Sequence, residues 1–213
     1  MTTRPAAPES PPAATPAKVP VWRRLVAAVA GLALVAAAVY VRSLTLTPDQ
    51  LDDPITASGG MSQEVDTDLF SARLERVEFA RSVLVKKEFG TDRATPGQVF
   101  LVAKVGATAP RRPIQLHSHL LTADGLRFAA SDRVPDTATL AWRWIQPGWW
   151  RSGYYFFDVP ADKVAGARVV VSKQEHTLYG DQFYAEAAFD MGLDAAGARR
   201  LVGAAKDVFE VSG

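Results

Sequence analysis

Beyond residue 62, apolar residues recur at every second position, in short runs that end at turn residues. The runs "QVFLVAKVGA" and "YYFFDVP" alternate in this way, and the Asp124-Gly125 pair is typical of a tight hairpin turn. Because successive side chains of a strand point to opposite faces of its sheet, the pattern predicts about seven or eight strands, each with one buried face. The fold class is therefore expected to be mainly β, an antiparallel, immunoglobulin-like β-sandwich over residues 62–192.

The segment "GYYFFDVP" allows a more detailed prediction. Its alternation divides the side chains between two faces: Tyr155, Phe157 and Val159 on one, and Tyr154, Phe156 and Asp158 on the other. Asp158 marks the second face as the wetter one, so the first face is predicted to enter the core. By the same alternation, "ATLAWRW" is expected to form a strand with Leu140, Trp142 and Trp144 on one face.

The N-terminal part of the chain has the composition of a tail followed by a membrane helix. Residues 1–20 hold six prolines and five alanines, too little apolar surface for a packed core, and are predicted to be a disordered cytoplasmic tail. The uncharged run of 17 residues from Leu25 to Val41 is close to the length that crosses a hydrocarbon core, which predicts a transmembrane helix over 21–42. Residues 43–61 are then expected to be a juxtamembrane linker.

Charged and aromatic residues at the ends of this helix predict its orientation. Trp22 and Tyr40 are amphipathic aromatics of the kind found at membrane interfaces, and Arg23 and Arg24 precede the apolar run. Basic residues favour the cytoplasmic side, so the N-terminus is predicted to be cytoplasmic and the C-terminal domain extracytoplasmic. The alternative is a cleaved signal peptide, with the two arginines as a twin-arginine signal; the domain is exported in either case.

The last part of the chain, 193–213, changes to a helical pattern. Asp194 is a suitable N-cap, and apolar residues recur at helical spacing: Ala198, Leu201, Val202, Ala205, Val208 and Phe209. The pattern predicts an amphipathic helix over this range. Its apolar face is expected to pack on the sandwich; the alternative is that it docks on a partner or on the membrane surface.

Composition excludes several classes of site. The chain has no cysteine, which removes disulfides, cysteine-ligated zinc sites and thiol nucleophiles. Residues 62–213 carry 19 Lys and Arg against 19 Asp and Glu, so nucleic acid is not an expected partner. The sequence lacks the motifs of serine hydrolases and of phosphate-binding loops. We therefore expect no enzyme and no cofactor, with a hydrolase of envelope polymers as the third alternative.

Two histidines, His117 and His119, flank a serine in a predicted strand, so both imidazoles project from one face. This spacing can chelate copper or zinc when a third ligand is close. The candidates for that ligand are Glu175, His176 and Asp181. The alternative interpretation is two polar residues on the solvent face of a strand.

Four of the five tryptophans in the chain lie within nine residues. Two of them, Trp149 and Trp150, follow the Pro147-Gly148 pair in a predicted turn, where side chains need not point inward. The turn predicts a surface for a partner protein, a glycan or the bilayer, because Trp and Arg are the residue types that dominate interfaces. The candidate partner-binding residues are Trp149, Trp150 and Arg151. The alternative is that at least one of these tryptophans covers the open end of the core.

Several turn and core motifs occur in a recognisable order: "TPGQVFLVAKVGA", "LLTADGLRFAAS", "QPGWWRSGYYFFDVP" and "GARVVV". Over roughly residues 65–190, this order resembles the bacterial family of membrane-anchored or lipid-anchored extracytoplasmic immunoglobulin-like domains of unknown function, grouped with secreted immunoprotective antigens and telokin-like β-sandwiches. The resemblance implies the sandwich fold, and it supplies no catalytic residues. The Trp149-Trp150 pair and the C-terminal helix depart from that pattern.

Together these patterns predict a single-pass membrane protein of the bacterial cell envelope. Its sandwich is expected to act outside the membrane as a non-catalytic accessory module, tethered near the bilayer and binding another envelope or membrane protein. The alternative function is a receptor domain for a metal or a small ligand that uses His117 and His119.

Overall fold

The computed structural model describes residues 21–44, 54–173 and 184–212. The chain divides into two compact units, Met1–Thr47 and Pro48–Gly213. The first unit contributes one described helix, and the second holds every described strand and a second helix.

Helix α1 occupies Val21–Leu44, over the range where the sequence predicts a transmembrane helix. Its large apolar side chains are exposed, Leu32 and Leu34 among them. In the described part of the chain, no helix combines the length and the hydropathy that a membrane span requires. The transmembrane prediction over 21–42 is therefore not confirmed. The disordered tail predicted over 1–20 lies outside the described residues.

The second unit contains twelve strands among its described residues. In chain order they are β1 Ile55–Gly60, β2 Glu64–Asp66, β3 Ser71–Ala80, β4 Val83–Lys87, β5 Gly90–Ala94, β6 Val99–Thr108, β7 Leu116–Leu121, β8 Arg127–Ala129, β9 Arg151–Val159, β10 Arg168–Lys173, β11 Ala185–Asp190 and β12 Phe209–Ser212. Helix α2 occupies Ala195–Gly203, between β11 and β12. The predicted strand number is too low, partly because β1 lies in the segment predicted as a linker and β12 in the segment predicted as a helix.

The strands form three sheets. The five-stranded sheet has the order β1-β11-β10-β7-β8, the four-stranded sheet β2-β3-β6-β9, and the three-stranded sheet β12-β4-β5. Neighbouring strands are antiparallel except in two pairs, β1 with β11 and β12 with β4, which are parallel. The second unit is thus a β-sandwich of the five- and four-stranded sheets, and the three-stranded sheet packs on the outer face of the four-stranded one.

The main core lies between the five- and four-stranded sheets, where each strand contributes alternate side chains. From β9 these are Tyr155, Phe157 and Val159, as the sequence predicts. The Tyr155 hydroxyl donates to the Leu116 carbonyl at 2.8 Å, which satisfies a polar group inside the core. Burial raises the pKa of Tyr155 well above its usual value. The phenol is therefore a neutral hydrogen-bond donor throughout the physiological range of pH.

A second apolar cluster lies on the opposite face of the four-stranded sheet. Phe156, predicted to lie on the wetter face of β9, is only 1% exposed there. Its ring packs edge-on against Phe209 of β12, with centroids 6.0 Å apart. The prediction is wrong for Phe156 because the three-stranded sheet covers this part of the face. Asp158 keeps a polar role, since its carboxylate accepts hydrogen bonds from the Gly97 and Gln98 amides at 2.6 and 2.9 Å.

The C-terminal segment is a short helix followed by a strand. Asp194 caps α2 as predicted, its side chain accepting a backbone N–H at 2.6 Å. The helix ends at Gly203, so the prediction of one helix over 193–213 is wrong for its second half. In that second half, Phe209 belongs to strand β12. The pairing of β12 with β4 places the Phe209 ring in the second apolar cluster, where it is buried. Ala198 of α2 is buried in the main core, as expected for a helix that packs on the sandwich.

The segment "ATLAWRW" is not the predicted strand. It forms tight 3-10 turns, the second of which is Leu140–Trp142. Leu140 is buried so close to Gly153 of β9 that a methyl group added to the glycine would meet Leu140 at 3.0 Å. Trp142 and Trp144 are 57% and 50% exposed. A strand places Leu140 and Trp142 on the same face, whereas a tight turn can bury the first and expose the second.

Replacing Phe156 by alanine tests the second cluster. Removal of the buried ring leaves a cavity between two sheets, so Phe156→Ala is expected to lower the free energy of unfolding by about 3–5 kcal/mol in urea denaturation. Phe89→Ala is the matched control: Phe89 is 91% exposed, and its loss should change stability by less than about 0.5 kcal/mol. Equal, small effects of the two substitutions would contradict the burial of β9 on both faces.

Candidate interaction site

The turn before β9 is held by backbone hydrogen bonds to the segment after β6. Ile114 and Ile145 form an antiparallel bridge in which each amide donates to the other carbonyl, at 3.1 and 2.8 Å. A parallel bridge joins Pro147 to Ala109, and the Gly148 amide donates to the Ala109 carbonyl at 3.0 Å. Gly148 has a φ of 72°, which glycine adopts without a Cβ clash. The backbone of the turn is therefore held by hydrogen bonds at both Ile145 and Gly148.

Trp149 and Trp150 project from this turn and are 76% and 40% exposed. Neither ring belongs to the two apolar clusters formed by the described residues. The alternative that at least one of the two rings covers the open end of the core also stays a prediction. Together with Gln146, Pro147 and Arg151, the two rings line a shallow depression of about 340 Å³. Binding of a partner at these residues stays a prediction.

Trp150 is stacked on an arginine that the sequence does not single out. The guanidinium carbon of Arg73, in β3, lies 4.6 Å from the centre of the Trp150 ring, within the range of a cation–π contact. Sheet register brings them together: Arg73 pairs with Gly106 of β6, and Gly106 pairs with Ser152 of β9. A local sequence motif cannot predict this contact, because the contact depends on the pairing of strands that are distant in sequence.

The carboxylate of Glu75, beside Arg73, contacts several hydrogen-bond donors. Its carboxylate lies 2.9 Å from Lys104 Nζ and 3.3 Å from Arg73 Nε, and it accepts a hydrogen bond from the Ser152 hydroxyl at 2.8 Å. Partial burial of Glu75 opposes its ionisation, but the hydrogen bonds from Lys104 and Ser152 and the Lys104 charge outweigh burial and hold the pKa of the carboxyl below its usual value. A methyl group on Gly106 would meet the Glu75 carboxylate at 2.6 Å, so a larger residue at this position would displace that carboxylate from its present contacts.

His117 and His119 lie on the outer face of β7, as the alternation predicts. Strand β8 pairs with residues 119–121 of β7, and its ladder does not extend to the start of that strand. A cavity of about 420 Å³ lies here, lined by both histidines and by side chains that include Asp136 and Trp142. The two imidazoles therefore face a space large enough for a small molecule.

The described residues supply no third metal ligand for these histidines. No three His, Asp or Glu side chains are grouped for metal binding within the part of the chain that the structure describes. The third ligands suggested by the sequence, Glu175, His176 and Asp181, lie outside the described residues. Burial, together with the Arg127 charge, lowers the pKa of His119. Its imidazole is therefore neutral at pH 7.

The residues predicted to flank a membrane lie in α1. Trp22 and Tyr40, at opposite ends of the helix, are 63% and 66% exposed. The guanidinium carbon of Arg23 lies 5.7 Å from the centre of the Trp22 ring. Arg24 belongs to the same helix, and its side chain lies outside the described set. An interfacial role for these residues stays a prediction.

Glu75 gives a pH-dependent test of the network beneath Trp150. Because the pKa of its carboxyl is lowered in the folded chain, the carboxylate stabilises the fold above about pH 4.5, and this contribution is lost as the pH falls below that value. Glu75→Gln is expected to cost about 1 kcal/mol at pH 7 and to reduce the loss of stability between about pH 5 and pH 3, measured by urea denaturation.

The control for this test is Glu88→Gln, on the exposed turn between β4 and β5, which should leave stability at both pH values unchanged. A Glu75→Gln profile identical to that of the parent chain would show that the network contributes nothing to stability.

No family model matches the chain, and neither does any curated protein. Among solved structures, it is similar to an uncharacterised β-sandwich protein from Clostridium difficile 630, with 14% identity and a TM-score of 0.41 over 65% of this chain and 96% of that one. It is also similar to MPT63, a secreted protein from Mycobacterium tuberculosis, with 16% identity and a TM-score of 0.42 over 65% of this chain and 98% of that one. Function is therefore inferred from the side chains of this chain itself.

Proposed function

We propose that this chain is a single-pass, membrane-anchored interaction module of the bacterial cell envelope, with a cytoplasmic N-terminus and an extracytoplasmic sandwich. The observation that carries the proposal is the exposed pair Trp149 and Trp150 on a turn whose backbone is fixed. Exposed aromatic rings beside an arginine are the typical anchors of an interface. A turn that is already rigid loses little entropy when a partner covers it.

The membrane anchor of this proposal rests on the sequence of α1. The run from Leu25 to Val41 is uncharged, arginines precede it, and amphipathic aromatics stand at its ends in Trp22 and Tyr40. An anchor of this kind confines the sandwich to the membrane surface and raises its effective concentration for envelope partners. The lack of cysteine means that the exported sandwich is stabilised without disulfide bonds.

A non-catalytic role is supported by the chemistry of the turn. The depression at Trp149 is lined by an amide, a proline, two indole rings and a guanidinium group. None of these groups is a nucleophile or a general base at neutral pH. Such a lining can hold a partner through packing, hydrogen bonds and charge, and it has no means of moving a proton.

Because the chain has no cysteine, single-cysteine variants test both location and contact. Two full-length variants are compared: Gln146→Cys, in the depression at Trp149, and Phe89→Cys, on the exposed turn between β4 and β5. Each reacts with a membrane-impermeant maleimide in intact cells and after purification in detergent. Phe89→Cys should label equally in both states, whereas Gln146→Cys should label at least about five-fold more slowly in cells, because a partner excludes water from the turn.

Loss of the rings gives the control for this experiment. Adding Trp149→Ala and Trp150→Ala to Gln146→Cys should restore rapid labelling in cells, since the contact is removed while the thiol stays. Failure of Phe89→Cys to label in intact cells would contradict the extracytoplasmic location. Equal labelling of Gln146→Cys in cells and in detergent would contradict the contact.

A second candidate function, binding of a metal or a small ligand, is favoured by the cavity beside β7. Both histidines line it, and the neutral imidazole of His119 has a lone pair available for a metal ion. In this case Zn²⁺ or Cu²⁺ should bind the full chain with submillimolar affinity in calorimetry, and His119→Ala should abolish the binding. Equal heats for the parent chain and the variant would exclude this candidate.

A further inference from the structure

The segment after β6 and the segment before β9 form one surface. Two backbone bridges join residues 109–115 to residues 139–151. This Trp–Arg surface carries the four tryptophans at positions 142–150, together with four arginines that are also exposed: Arg111, Arg112, Arg143 and Arg151. The backbone bonds hold the two segments next to each other in the folded domain.

The tryptophans of the Trp–Arg surface are between 40% and 76% exposed. Trp is highly buried on average, so four exposed rings within one nine-residue segment mark an interaction site rather than a chance exposure. The core gives no reason for them, since other side chains of this segment, Leu140 and Ile145, are the ones that enter the main cluster. The rings are therefore available to an outside partner.

The same surface is basic. Residues 107–115 and 139–153 contain four arginines and no Asp or Glu, whereas residues 62–213 as a whole carry equal numbers of acidic and basic side chains. Acidic residues lie at its borders: Asp68, Glu75, Asp132, Asp136 and Glu210, the last of which is paired with Lys86. Glu75 is already paired with Lys104, so the centre of the surface keeps its positive charge. Charge complementarity then calls for an anionic partner.

We propose that the Trp–Arg surface binds the headgroup region of an anionic phospholipid bilayer. Tryptophan rings favour the membrane interface, where the apolar part of the indole is buried and its N–H stays in contact with polar groups. Arginine matches the geometry of a phosphate group with paired hydrogen bonds. A surface that combines both residue types on a fixed backbone is suited to this interface.

This inference rests on the proposed function, because an anchored domain meets the bilayer surface at a high effective concentration. Trp149 and Trp150 enter the interface, and Arg151 contacts lipid phosphate. Arg73, stacked on Trp150, holds that ring in its orientation. A protein with an acidic face would meet the same charges, and it is the alternative outcome of the test.

The tryptophans of the chain provide the reporter. Trp22→Phe leaves only the four rings of the Trp–Arg surface, because the chain has five tryptophans in all. The full-length Trp22→Phe chain is reconstituted into phosphatidylcholine vesicles, and into vesicles that also contain phosphatidylglycerol, with brominated acyl chains as the quencher. Emission is expected to fall by about half and to shift to the blue in the anionic vesicles, and to recover as added salt screens the charges.

Paired arginine substitutions separate specific binding from general charge. Arg111→Gln/Arg112→Gln in the Trp22→Phe background should remove most of the quenching. The matched control is Arg199→Gln/Arg200→Gln, which removes the same charge from α2 and should be quenched like its parent.

Emission that is the same in neutral and anionic vesicles would overturn lipid binding, as would quenching that survives Arg111→Gln/Arg112→Gln. If Gln146→Cys is still protected in cells, the proposed function stands and the partner is a protein with an acidic face. If Gln146→Cys is also unprotected, the proposed contact at the turn fails together with the lipid.

Discussion

The structure depends on the burial of the four-stranded sheet on both of its faces. Along β6, Leu101 and Ala103 enter the main core. The residues that alternate with them, Phe100 and Val102, enter the second cluster on the opposite face. A strand buried on both sides needs two covering layers, which the five-stranded and three-stranded sheets supply. Because β9 pairs with β6 along its whole length, the same constraint fixes where β9 begins, and therefore where the turn at Trp149 leaves the sheet.

The alternation of apolar residues was sufficient to predict a β-sandwich and one face of β9, but it could not predict the second covering layer. The prediction takes Asp158, near the end of the strand, as evidence that its whole face is exposed to solvent. Phe156 lies on the same face and is buried. The continuous apolar run "VFLV" in β6 is the local signal of burial on both faces. At the C-terminus, the spacing that predicts a longer helix also fits a helix, a turn and a strand, because short apolar patterns do not distinguish them.

The candidate site also has features that local sequence predicts and features that depend on contacts between distant residues. The Pro147-Gly148 pair predicts a turn, and a turn is enough to predict that Trp149 lies at the surface. The stacking of Arg73 on Trp150 could not be predicted, since it arises from the register of β3, β6 and β9. The backbone bonds from Ala109 and Ile114 to this turn are likewise invisible in the sequence, although they are what makes the turn rigid.

The pairing of β12 with β4 sets the order in which the domain can be completed. Residues 83–94 leave the ribosome long before residues 209–212, yet Phe209 forms one wall of the second cluster. Contacts between such distant positions form late, because the chain between them must first be ordered. Until β12 pairs with β4, the aromatic rings of Phe100 and Phe156 are incompletely covered, and exposed apolar surface of this kind favours aggregation. The pairing of the last strand, β12, therefore completes the burial of the second cluster and is the step that completes the fold of the domain.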